Sequence, residues 1–481
     1  MHIPFDNSYA ALPQDFYTRI NPTSVKSPML LAFNNDLAKI LGIETADVTE
    51  QSQIFSGNKI PQGAAPLAQL YAGHQFGNYN PQLGDGRAIL LGEVIDTNGL
   101  RRDIQLKGSG PTPYSRGGDG RAWVGPVLRE YVISEAMHAL GIPTTRALAA
   151  VATGEDILRE QGMLPGAVLT RIASSHLRVG TFQVFAHRNQ PEQLQILTDY
   201  AIARHYPDAA GPMDLLRAVC RKQADLIAAW MSVGFIHGVM NTDNCSIAGE
   251  TIDYGPCAFM DDFHMGRVFS SIDRQSRYAY GNQPNMALWN MAQLATALLQ
   301  LADNKDAALE EATAIIHAMP DQIETAWLAR FGAKIGLHAP HPDDTDLIQS
   351  LLDLMQAEGA DFTNTFRALS GDHARNHFTN RDAFDAWSRN HQARIAAEPD
   401  PAATMNAANP AVIPRNHRME QMITAATAGD MAPFHRLMQA FATPMANLDQ
   451  ERDFPSSDTV AAWQRKALNS ARDIGQFTFV L

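Results

Sequence analysis

Four polar residues, each on a different predicted element, limit the folds that this chain can adopt. Lys107 ends a predicted strand, Glu130 lies on a predicted helix, Asn244 lies in a later loop, and Asp253 follows in a segment with the pattern of a short strand. Strand patterns come first along the chain, and from about residue 211 the patterns are mostly helical, beginning with a predicted helix in PMDLLRAVCRKQADLIAAWMSVG (212–234). The sequence therefore predicts an α+β fold in which a β-rich part and a helical part contribute to one site.

Lys107 lies at the end of a predicted β-hairpin. The segments AILLGEVID (88–96) and LRRDIQLKG (100–108) have strand composition, and the turn between them contains Asn-Gly, a strong hairpin signal. Glycine-rich segments flank this hairpin and include Gly84 and Gly86. Glycine-rich backbone can approach phosphate groups closely and donate N–H groups to them. For any one glycine, a simple turn is the more common role.

A predicted amphipathic helix follows in GPVLREYVISEAMHALGIP (125–143). Its apolar residues recur at helical spacing, and Pro126 stands near its start. The helix carries Glu130 and Glu135. Either acid could form with Lys107 the strand-to-helix ion pair that orients a kinase lysine on phosphates. A solvated surface position is the ordinary role of both, and the residues alone leave the choice open.

The loop HGVMNTDN (237–244) matches the His and Asn of the kinase pattern H-R-D-x-x-x-x-N, but not its base. Position 239 is Val, which cannot accept a proton. The later tripeptide DYG (253–255) corresponds to the metal-binding D-F-G motif. The order Lys, Glu, Asn and DxG predicts a protein-kinase-like two-lobed fold with a β-rich N-terminal lobe and a helical C-terminal lobe. Val239 indicates either an inactive kinase or a different chemistry with another base.

Composition narrows the class of protein and its partners. The 481 residues are 45% hydrophobic and 19% charged, which is ordinary for a globular protein of two or more packed units. A net charge of −13 argues against a broad surface for nucleic acid. We find no apolar run of membrane-span length, so we expect neither a nucleic-acid nor a membrane partner.

Cysteine usage and the N-terminus indicate the compartment. No two cysteines form a C-x-x-C pair, so neither a disulfide framework nor a zinc site is expected for Cys220, Cys245 and Cys257. The N-terminus has no basic segment followed by an apolar one, and we expect a cytoplasmic protein. The Ala- and Pro-rich segment 396–414 is the best candidate for a linker.

Several longer motifs, all in one order, closely resemble the selenoprotein O family, whose members are described as protein adenylyltransferases. These motifs are YAGHQFG (71–77), QLGDGRA (82–88), QLKGSGPTPYSRGGDGRA (105–122), SEAMHALGIPTTRAL (134–148), LTRIASSHLRVGTF (169–182), HGVMNTDN (237–244), DYGPCAFMD (253–261) and NQPNMALWNMAQLA (282–295). The resemblance implies a kinase-like fold that holds ATP in reverse, with the γ-phosphate buried and the α-phosphate presented for reaction.

The resemblance also implies a reaction and its participants. AMP would pass from ATP to a Ser, Thr or Tyr hydroxyl of a target protein, and pyrophosphate would leave. The expected cofactor is Mg²⁺ or Mn²⁺, UTP is a second possible donor of a nucleotide as UMP, and we expect a monomer.

Carried over position by position, the resemblance assigns roles to individual residues. The glycine-rich nucleotide loop would contain Gly84, Gly86 and Arg87, and the same pocket would be lined by Asp119 and Gly120. Lys107 would contact the phosphates with Glu130 as its partner.

The remaining assignments concern the buried phosphate, the metal and the base. Arg171 and Arg178 would clamp the terminal phosphate, a role that suits planar, permanently charged guanidinium groups; a pair of surface cations is the ordinary alternative. Asn244 and Asp253 would hold the metal, and Asp253 would also contact the nucleotide. Asp243 would be the base that Val239 cannot be, although an Asp in T-D-N often only forms a turn.

These interpretations divide the chain into four parts and leave two rival functions. The parts are an N-terminal extension (1–60), a kinase-like N-lobe with the nucleotide-binding loops (61–190), a helical C-lobe with the catalytic loop and DxG (191–395) and a C-terminal helical extension (396–481). A catalytically silent nucleotide-binding scaffold would explain Val239 but would leave Asp243 and Asp253 without a purpose. A small-molecule kinase would fit the lobes but would need a base near the γ-phosphate.

Overall fold

The structure of the protein is a computed structural model that describes residues 1–44 and 47–446. Its strands and helices are mixed along the chain, which confirms the predicted α+β class. The strands are β1 (Tyr17–Arg19), β2 (Met29–Phe33), β3 (Leu67–Gln69), β4 (Gly73–Gln75), β5 (Asn78–Asn80), β6 (Ala88–Ile95), β7 (Arg101–Lys107), β8 (Ala122–Trp123), β9 (Arg146–Arg159), β10 (Gly162–Ala173), β11 (Phe235–Ile236) and β12 (Ala258–Phe259).

Helices dominate the later part of the described chain. They are α1 (Asn35–Ile40), α2 (Val48–Phe55), α3 (Val124–Ala139), α4 (Val179–His187), α5 (Pro191–His205), α6 (Pro212–Ser232), α7 (Gln283–Leu298), α8 (Lys305–His317), α9 (Met319–Lys334), α10 (Thr345–Glu358), α11 (Phe362–Ala368), α12 (Arg381–Ile395), α13 (Pro401–Ala408), α14 (Asn416–Thr427) and α15 (Ala432–Phe441). Across the described ranges, no helix is both long enough and apolar enough to cross a membrane.

Eight strands form one antiparallel sheet that places the polar strand residues. The strand order is β1-β3-β6-β7-β10-β9-β2, and β8 pairs with β10. The predicted hairpin is confirmed as the antiparallel pair of β6 and β7. In the pairing of β10 with β7, Leu169 lies opposite Lys107 and Arg171 opposite Gln105. This register places a second cation, Arg171, on the strand next to that of Lys107.

The two faces of β7 differ in character because successive side chains of a strand point to opposite sides. Ile104 and Leu106 are fully buried in an apolar cluster with α1 and α2. The alternate residues, Asp103, Gln105 and Lys107, point to the other face, where α3 packs against the sheet. One face of β7 is therefore apolar and packs with α1 and α2, and the other face carries a polar strip on the side of α3.

Two helix predictions are confirmed, and two other local predictions are wrong. The predicted helices are observed as α3 and α6. The short strand expected around Asp253 is absent, because Asp253 lies in a loop with φ +61°. The supposed linker contains α13, which begins where the Asp400 side chain accepts a hydrogen bond from the Ala403 N–H at 3.0 Å.

Buried contacts explain why segment 396–414 is not a linker. Met405 is 3% exposed and Ile413 is 5% exposed. Asn409 is also buried, and its side chain donates to the carbonyl oxygens of Lys334 and Phe366 at 2.8 and 3.2 Å. The part of the predicted C-terminal extension after residue 446 lies outside the described residues.

Candidate active site

The loop that contains Asp243 and the DYG tripeptide are brought together by a short strand pair. β11 runs antiparallel to β12, so the residues after β11 lie beside those before β12. His237 Nε2 donates to the Ile252 carbonyl oxygen at 2.9 Å and fixes this approach. The loop then forms a 3₁₀ turn at Thr242–Asn244. Asp243 and Asp253 therefore belong to one site although ten positions separate them in sequence.

Three cations meet on the carboxylate of Asp253. Lys107 Nζ lies 2.8 Å from Oδ1, and Arg171 Nη1 lies 2.6 Å from the same oxygen. Arg178 Nη1 donates to Oδ2 at 3.0 Å. Burial alone would raise the pKa of Asp253, but these three charges hold it well below its usual value. The carboxylate is therefore ionised, and the three cations that converge on it are groups that can also bind another anion.

Glu130, rather than Glu135, faces this cluster. Glu130 Oε2 accepts from Lys107 Nζ at 2.6 Å, and its other oxygen lies 3.3 Å from Arg171 Nη1. Glu135 instead makes an ion pair with Arg146 at 2.7 Å. The choice that the sequence left open is thus settled geometrically in favour of a contact between Lys107 and Glu130.

Both arginines of the cluster are buried rather than surface cations. Arg171 and Arg178 are each 2% exposed. Gln105 holds Arg171 by accepting from Nη2 at 2.6 Å. The guanidinium carbon of Arg178 lies 4.4 Å from the centre of the Tyr71 ring, within cation–π range. Such fixed, partly desolvated guanidinium groups interact strongly with charge that enters the site.

A further buried acid lies beside Arg178. Asp85 Oδ1 is 3.8 Å from Arg178 Nη2, and its Oδ2 accepts from the Gln105 side chain at 3.1 Å. Burial raises the pKa of Asp85 above its usual value. The two glutamine bonds, to Arg171 and to Asp85, make Gln105 the link between the cation cluster and the glycine-rich loop.

Asp243 is a buried carboxylate with one unused oxygen. Its residue is 7% exposed, and Gln75 Nε2 donates to Oδ2 at 3.2 Å. Among the described residues, Oδ1 has no hydrogen-bond partner. Burial raises the pKa of Asp243 to about 6, although Arg178 and Gln75 act to lower it. A carboxyl group with this pKa is ionised at neutral pH and still basic enough to accept a proton.

Val239 contributes its backbone to the same loop. Its carbonyl oxygen accepts a hydrogen bond from Asn244 Nδ2 at 3.0 Å, and its side chain is buried. This bond uses the amide nitrogen of Asn244, so its side-chain oxygen is of a type that can bind a metal. Among the described residues, Asp253 Oδ2 is paired with Arg178. Oxygen donors of this kind suit Mg²⁺ or Mn²⁺. Within the described ranges no group of three or more His, Cys, Asp or Glu could hold a metal, so phosphate oxygens would have to complete the set.

The glycine-rich loops require glycine for close approach. Gly84 has φ +71°, and a Cβ there would lie 2.4 Å from the Tyr114 ring. A Cβ on Gly86 would lie 2.8 Å from the Tyr114 carbonyl oxygen. Gly120 has φ +66°, and its Cβ would lie 2.1 Å from the Gly110 carbonyl carbon. These loops are therefore tightly folded beside the β6–β7 hairpin.

Two residues assigned to the nucleotide pocket have other neighbours. Arg87 is exposed, and its carbonyl oxygen accepts from the Gly108 N–H at 2.7 Å. Asp119 pairs with Arg159 at 2.7 Å. Neither side chain contacts the cation cluster in the described part of the structure.

The sequence interpretation missed three residues of the site, namely Gln75, Asp85 and Gln105. Asp85 stands between Gly84 and Gly86, so the glycine-rich motif itself was the available signal. Gln105 shares a strand face with Lys107 by period-two alternation, which was also readable. Gln75 approaches Asp243 only through the tertiary fold, and no local pattern indicates it.

Comparison with known proteins adds a family to this geometry. A family model described as "Protein adenylyltransferase SelO" matches residues 1–442. "Protein nucleotidyltransferase YdiU" of Roseobacter denitrificans is 67% identical over 448 residues, which is 93% of this chain and 95% of the relative. The proteins of the same name from Ruegeria sp. (strain TM1040) and Ruegeria pomeroyi are 65% and 64% identical, and each match covers 96% of this chain and 98% of the relative.

Proposed function

Because this chain belongs to the protein adenylyltransferase SelO family, we propose that it transfers AMP from ATP to Ser, Thr or Tyr hydroxyls of target proteins and releases pyrophosphate. The chain is a nucleotidyltransferase, and ATP is the substrate of its family. The acceptor residues and the orientation of the nucleotide are our proposals.

We assign the chain a protein-kinase-like two-lobed fold. The sheet with Lys107 and helix α3 with Glu130 would form the N-terminal lobe (61–190), and the helices around loop 237–244 would form the C-terminal lobe (191–395). The segments 1–60 and 396–481 would be extensions. The contact of Lys107 with both Glu130 and Asp253 supports this assignment, since a kinase-like site needs the lysine between these two acids.

The convergence of Lys107, Arg171 and Arg178 on one carboxylate is the observation that carries the proposal. The two arginines are the most buried of the three cations, so the terminal phosphate would lie deepest and ATP would bind in reverse. The outward end of the nucleotide would then reach the loops of Gly84, Gly86, Arg87, Asp119 and Gly120. The phosphates would replace the Asp253 carboxylate as the partner of the cations.

In this arrangement Asp243 is the base. Its carboxylate would take the proton of the acceptor hydroxyl while the hydroxyl oxygen bonds to the α-phosphorus. The bond between the α-phosphorus and the bridging oxygen would break, and pyrophosphate would leave with the electron pair. The cations would stabilise the negative charge on the transferring and leaving groups.

Asn244 and Asp253 would hold Mg²⁺ or Mn²⁺ together with phosphate oxygens. When bound, such an ion neutralises phosphate charge. Asn244 is already oriented by its bond to the Val239 carbonyl, and Asp253 is kept ionised by the cations. Exchange of the cations from Asp253 to the phosphates would release its oxygens for the metal.

The test is incubation of the full chain with casein and either α-labelled or γ-labelled ATP. We expect label on protein from α-labelled ATP alone, and Lys107→Met as a control should lose it. Transfer of γ-label would support the kinase alternative instead, and nucleotide binding without any transfer would support the silent scaffold. A parallel reaction with α-labelled UTP tests UMP transfer, which we include because the relatives are named as nucleotidyltransferases, a name that does not specify the base of the nucleotide.

We further propose a monomeric cytoplasmic enzyme that acts on proteins and not on nucleic acid. Size-exclusion chromatography with light scattering would test the monomer, with a mass near 52.7 kDa as the expected result.

A further inference from the structure

The short hairpin of β4 and β5 lies over the loop that carries Asp243. The backbone N–H of His74 donates to Thr242 Oγ1 at 2.7 Å. The backbone N–H of Phe76 donates to the Asn241 side-chain oxygen at 3.2 Å. These two bonds fix the hairpin to the two residues that precede Asp243, and Gln75 lies between them.

The root of the hairpin approaches the Asp243 carboxylate more closely than a side chain would allow. A Cβ on Gly73 would lie 2.5 Å from Asp243 Oδ1. Ala72, which precedes Gly73, is also confined, because a Cβ on Gly180 would lie 2.0 Å from the Ala72 carbonyl oxygen. Glycine at positions 73 and 180 therefore lets the hairpin backbone pack against the Asp243 carboxylate.

The turn of the hairpin is held in an unfavourable conformation. Phe76 has φ +51°, a region that bulky residues rarely adopt and that costs of order 1 kcal/mol or more. Its ring packs edge-on against Tyr278 at 5.2 Å, and the Tyr278 hydroxyl donates to the Asn241 side chain at 2.6 Å. Strained backbone persists where neighbouring contacts hold it. Here those contacts come from Asn241, in the loop that carries Asp243, and from Tyr278.

We propose that Gln75 is a positioning residue that holds Oδ2 of Asp243 and thereby fixes the orientation of the carboxylate that takes the proton of the acceptor hydroxyl. The amide of Gln75 donates to Oδ2, while Oδ1 is buried beside Gly73 and has no hydrogen-bond partner among the described residues. Gln75 does not touch the nucleotide-binding cations in this arrangement. The inference rests on the proposed function, in which Asp243 is the base.

The test is Gln75→Met, which keeps the side-chain length and removes the donor. Loss of orientation should lower kcat/KM for α-label transfer to casein by about 10- to 100-fold, with ATP affinity by calorimetry unchanged. The loss should fall on kcat, while the KM for ATP stays at the wild-type value, because Gln75 orients the base and does not hold the nucleotide.

Matched variants separate positioning from folding. Asn78 lies opposite Gln75 on β5 and is exposed, so Asn78→Met should keep the wild-type rate. Gly73→Ala should lower the rate with Gln75 intact, because its Cβ displaces Oδ1. A wild-type kcat in Gln75→Met, or a rate loss matched by equal loss of ATP binding, would overturn the inference.

Parallel measurement of Asp243→Asn distinguishes a failure of the proposed base from a failure of the proposed positioning role. Full α-label transfer by Asp243→Asn would overturn the proposed base, and the inference with it. An inactive Asp243→Asn beside a fully active Gln75→Met would overturn the positioning role alone.

Discussion

The loop 237–244 offers a single carboxylate, that of Asp243, because Val occupies position 239. The Val239 side chain is buried, and its carbonyl oxygen is used to hold Asn244. An acid at position 239 would therefore replace a buried apolar side chain. Substitutions at Asp243 and Val239 therefore distinguish the reversed-nucleotide mechanism from that of a conventional kinase.

We predict that Asp243→Asn lowers α-label transfer by about 10²–10⁴-fold, the usual effect of removing a general base, with little change in ATP affinity. Adding Val239→Asp should neither rescue this variant nor create γ-label transfer. Wild-type transfer should fall as the pH drops through about 6, because protonated Asp243 cannot accept a proton. Labelling from α- and γ-labelled ATP between pH 5 and pH 8 measures all three effects. Strong γ-label in the wild type would return the kinase mechanism to first place.

Lys334, at the end of α9, is a buried cation without an acidic partner in the described structure. It is 1% exposed and donates to Asn409 Oδ1 at 2.8 Å. Its nitrogen lies 5.0 and 4.2 Å from the ring centres of Phe362 and Phe366. Burial lowers the pKa of Lys334 to about 7 from its model-compound value of 10.5. Between these two values the unfolded chain binds more protons at this position than the folded chain.

We therefore predict that the free energy of unfolding rises with pH above 7, by up to about 1.4 kcal/mol per pH unit from this group. Lys334→Met should lack this contribution and show a flatter profile. Urea unfolding of both proteins from pH 7 to pH 9 isolates the difference from other titrating groups. Equal slopes would mean that the two aromatic rings and Asn409 keep the lysine charged in the folded state.

At the scale of elements, the C-terminal helices hold α3 against the sheet. The Phe434 ring of α15 packs edge-on against Tyr131 of α3 at 5.5 Å. Arg129 of α3 donates to the Asn416 side chain at 2.9 Å and lies 3.8 Å from Glu420, both on α14. Since α3 also carries Glu130, helices α14 and α15 support the position of the Lys107 partner.

We predict that Phe434→Ala lowers the free energy of unfolding by about 3–5 kcal/mol, because it removes a buried aromatic ring. It should also weaken ATP binding, since a looser α3 no longer holds Glu130 on Lys107. Arg436→Ala, an exposed change on the same helix, is the control and should do neither. Urea unfolding and calorimetry with ATP give the two quantities. Unchanged ATP affinity in a destabilised Phe434→Ala would show that the helices support folding alone.

The elements with strong local patterns could be predicted from the sequence, and those that depend on tertiary contacts could not. Asn-Gly and the apolar periodicity gave the β6–β7 hairpin and α3 correctly. The β4–β5 hairpin has strands of three residues and a turn with Phe76 at positive φ, so neither pattern nor propensity predicts it. Segment 396–414 resembles a linker in composition, but its Asp400 cap and the buried Met405 make it structured.

The candidate site follows the same division. The residue types and their order identified a cluster of Lys107, an acid of the following helix and Asp253. The choice between Glu130 and Glu135 needed the helix phase relative to the sheet. Contacts made by Gln75 needed the position of a whole hairpin, which one sequence does not supply.

At the scale of the molecule, the Asp253 cluster joins segments that are far apart in sequence. Lys107 comes from β7, Arg171 from β10, Glu130 from α3, and Asp253 from the loop before β12. Without the Asp253 charge, the three cations would keep the acids Glu130, Asp85 and Asp243 as their neighbours in the described structure. Under the proposed function the cluster would contribute both to stability and to nucleotide binding, and ATP would compete with Asp253 for the same cations.

We predict that Asp253→Asn abolishes α-label transfer but increases the response of the protein to ATP. Breaking a buried ion pair on one side costs about 3–5 kcal/mol, so the melting temperature of the free protein should fall. ATP in EDTA should raise the melting temperature of Asp253→Asn more than that of the wild type, because the phosphates supply the missing negative charge to the cations. Thermal unfolding with and without ATP measures this difference, and EDTA removes any effect of metal binding.

Two further variants fix the interpretation of this experiment. Arg178→Met removes a cation instead of the acid, so its melting temperature should respond to ATP less than that of the wild type. Asp208→Asn, an exposed acid outside the cluster, should match the wild type in both melting temperature and ATP response. A smaller ATP response in Asp253→Asn than in the wild type, under the same metal-free conditions, would contradict the exchange of cations from carboxylate to phosphate. The cluster would then be a structural ion-pair network, and the terminal phosphate would have to bind elsewhere.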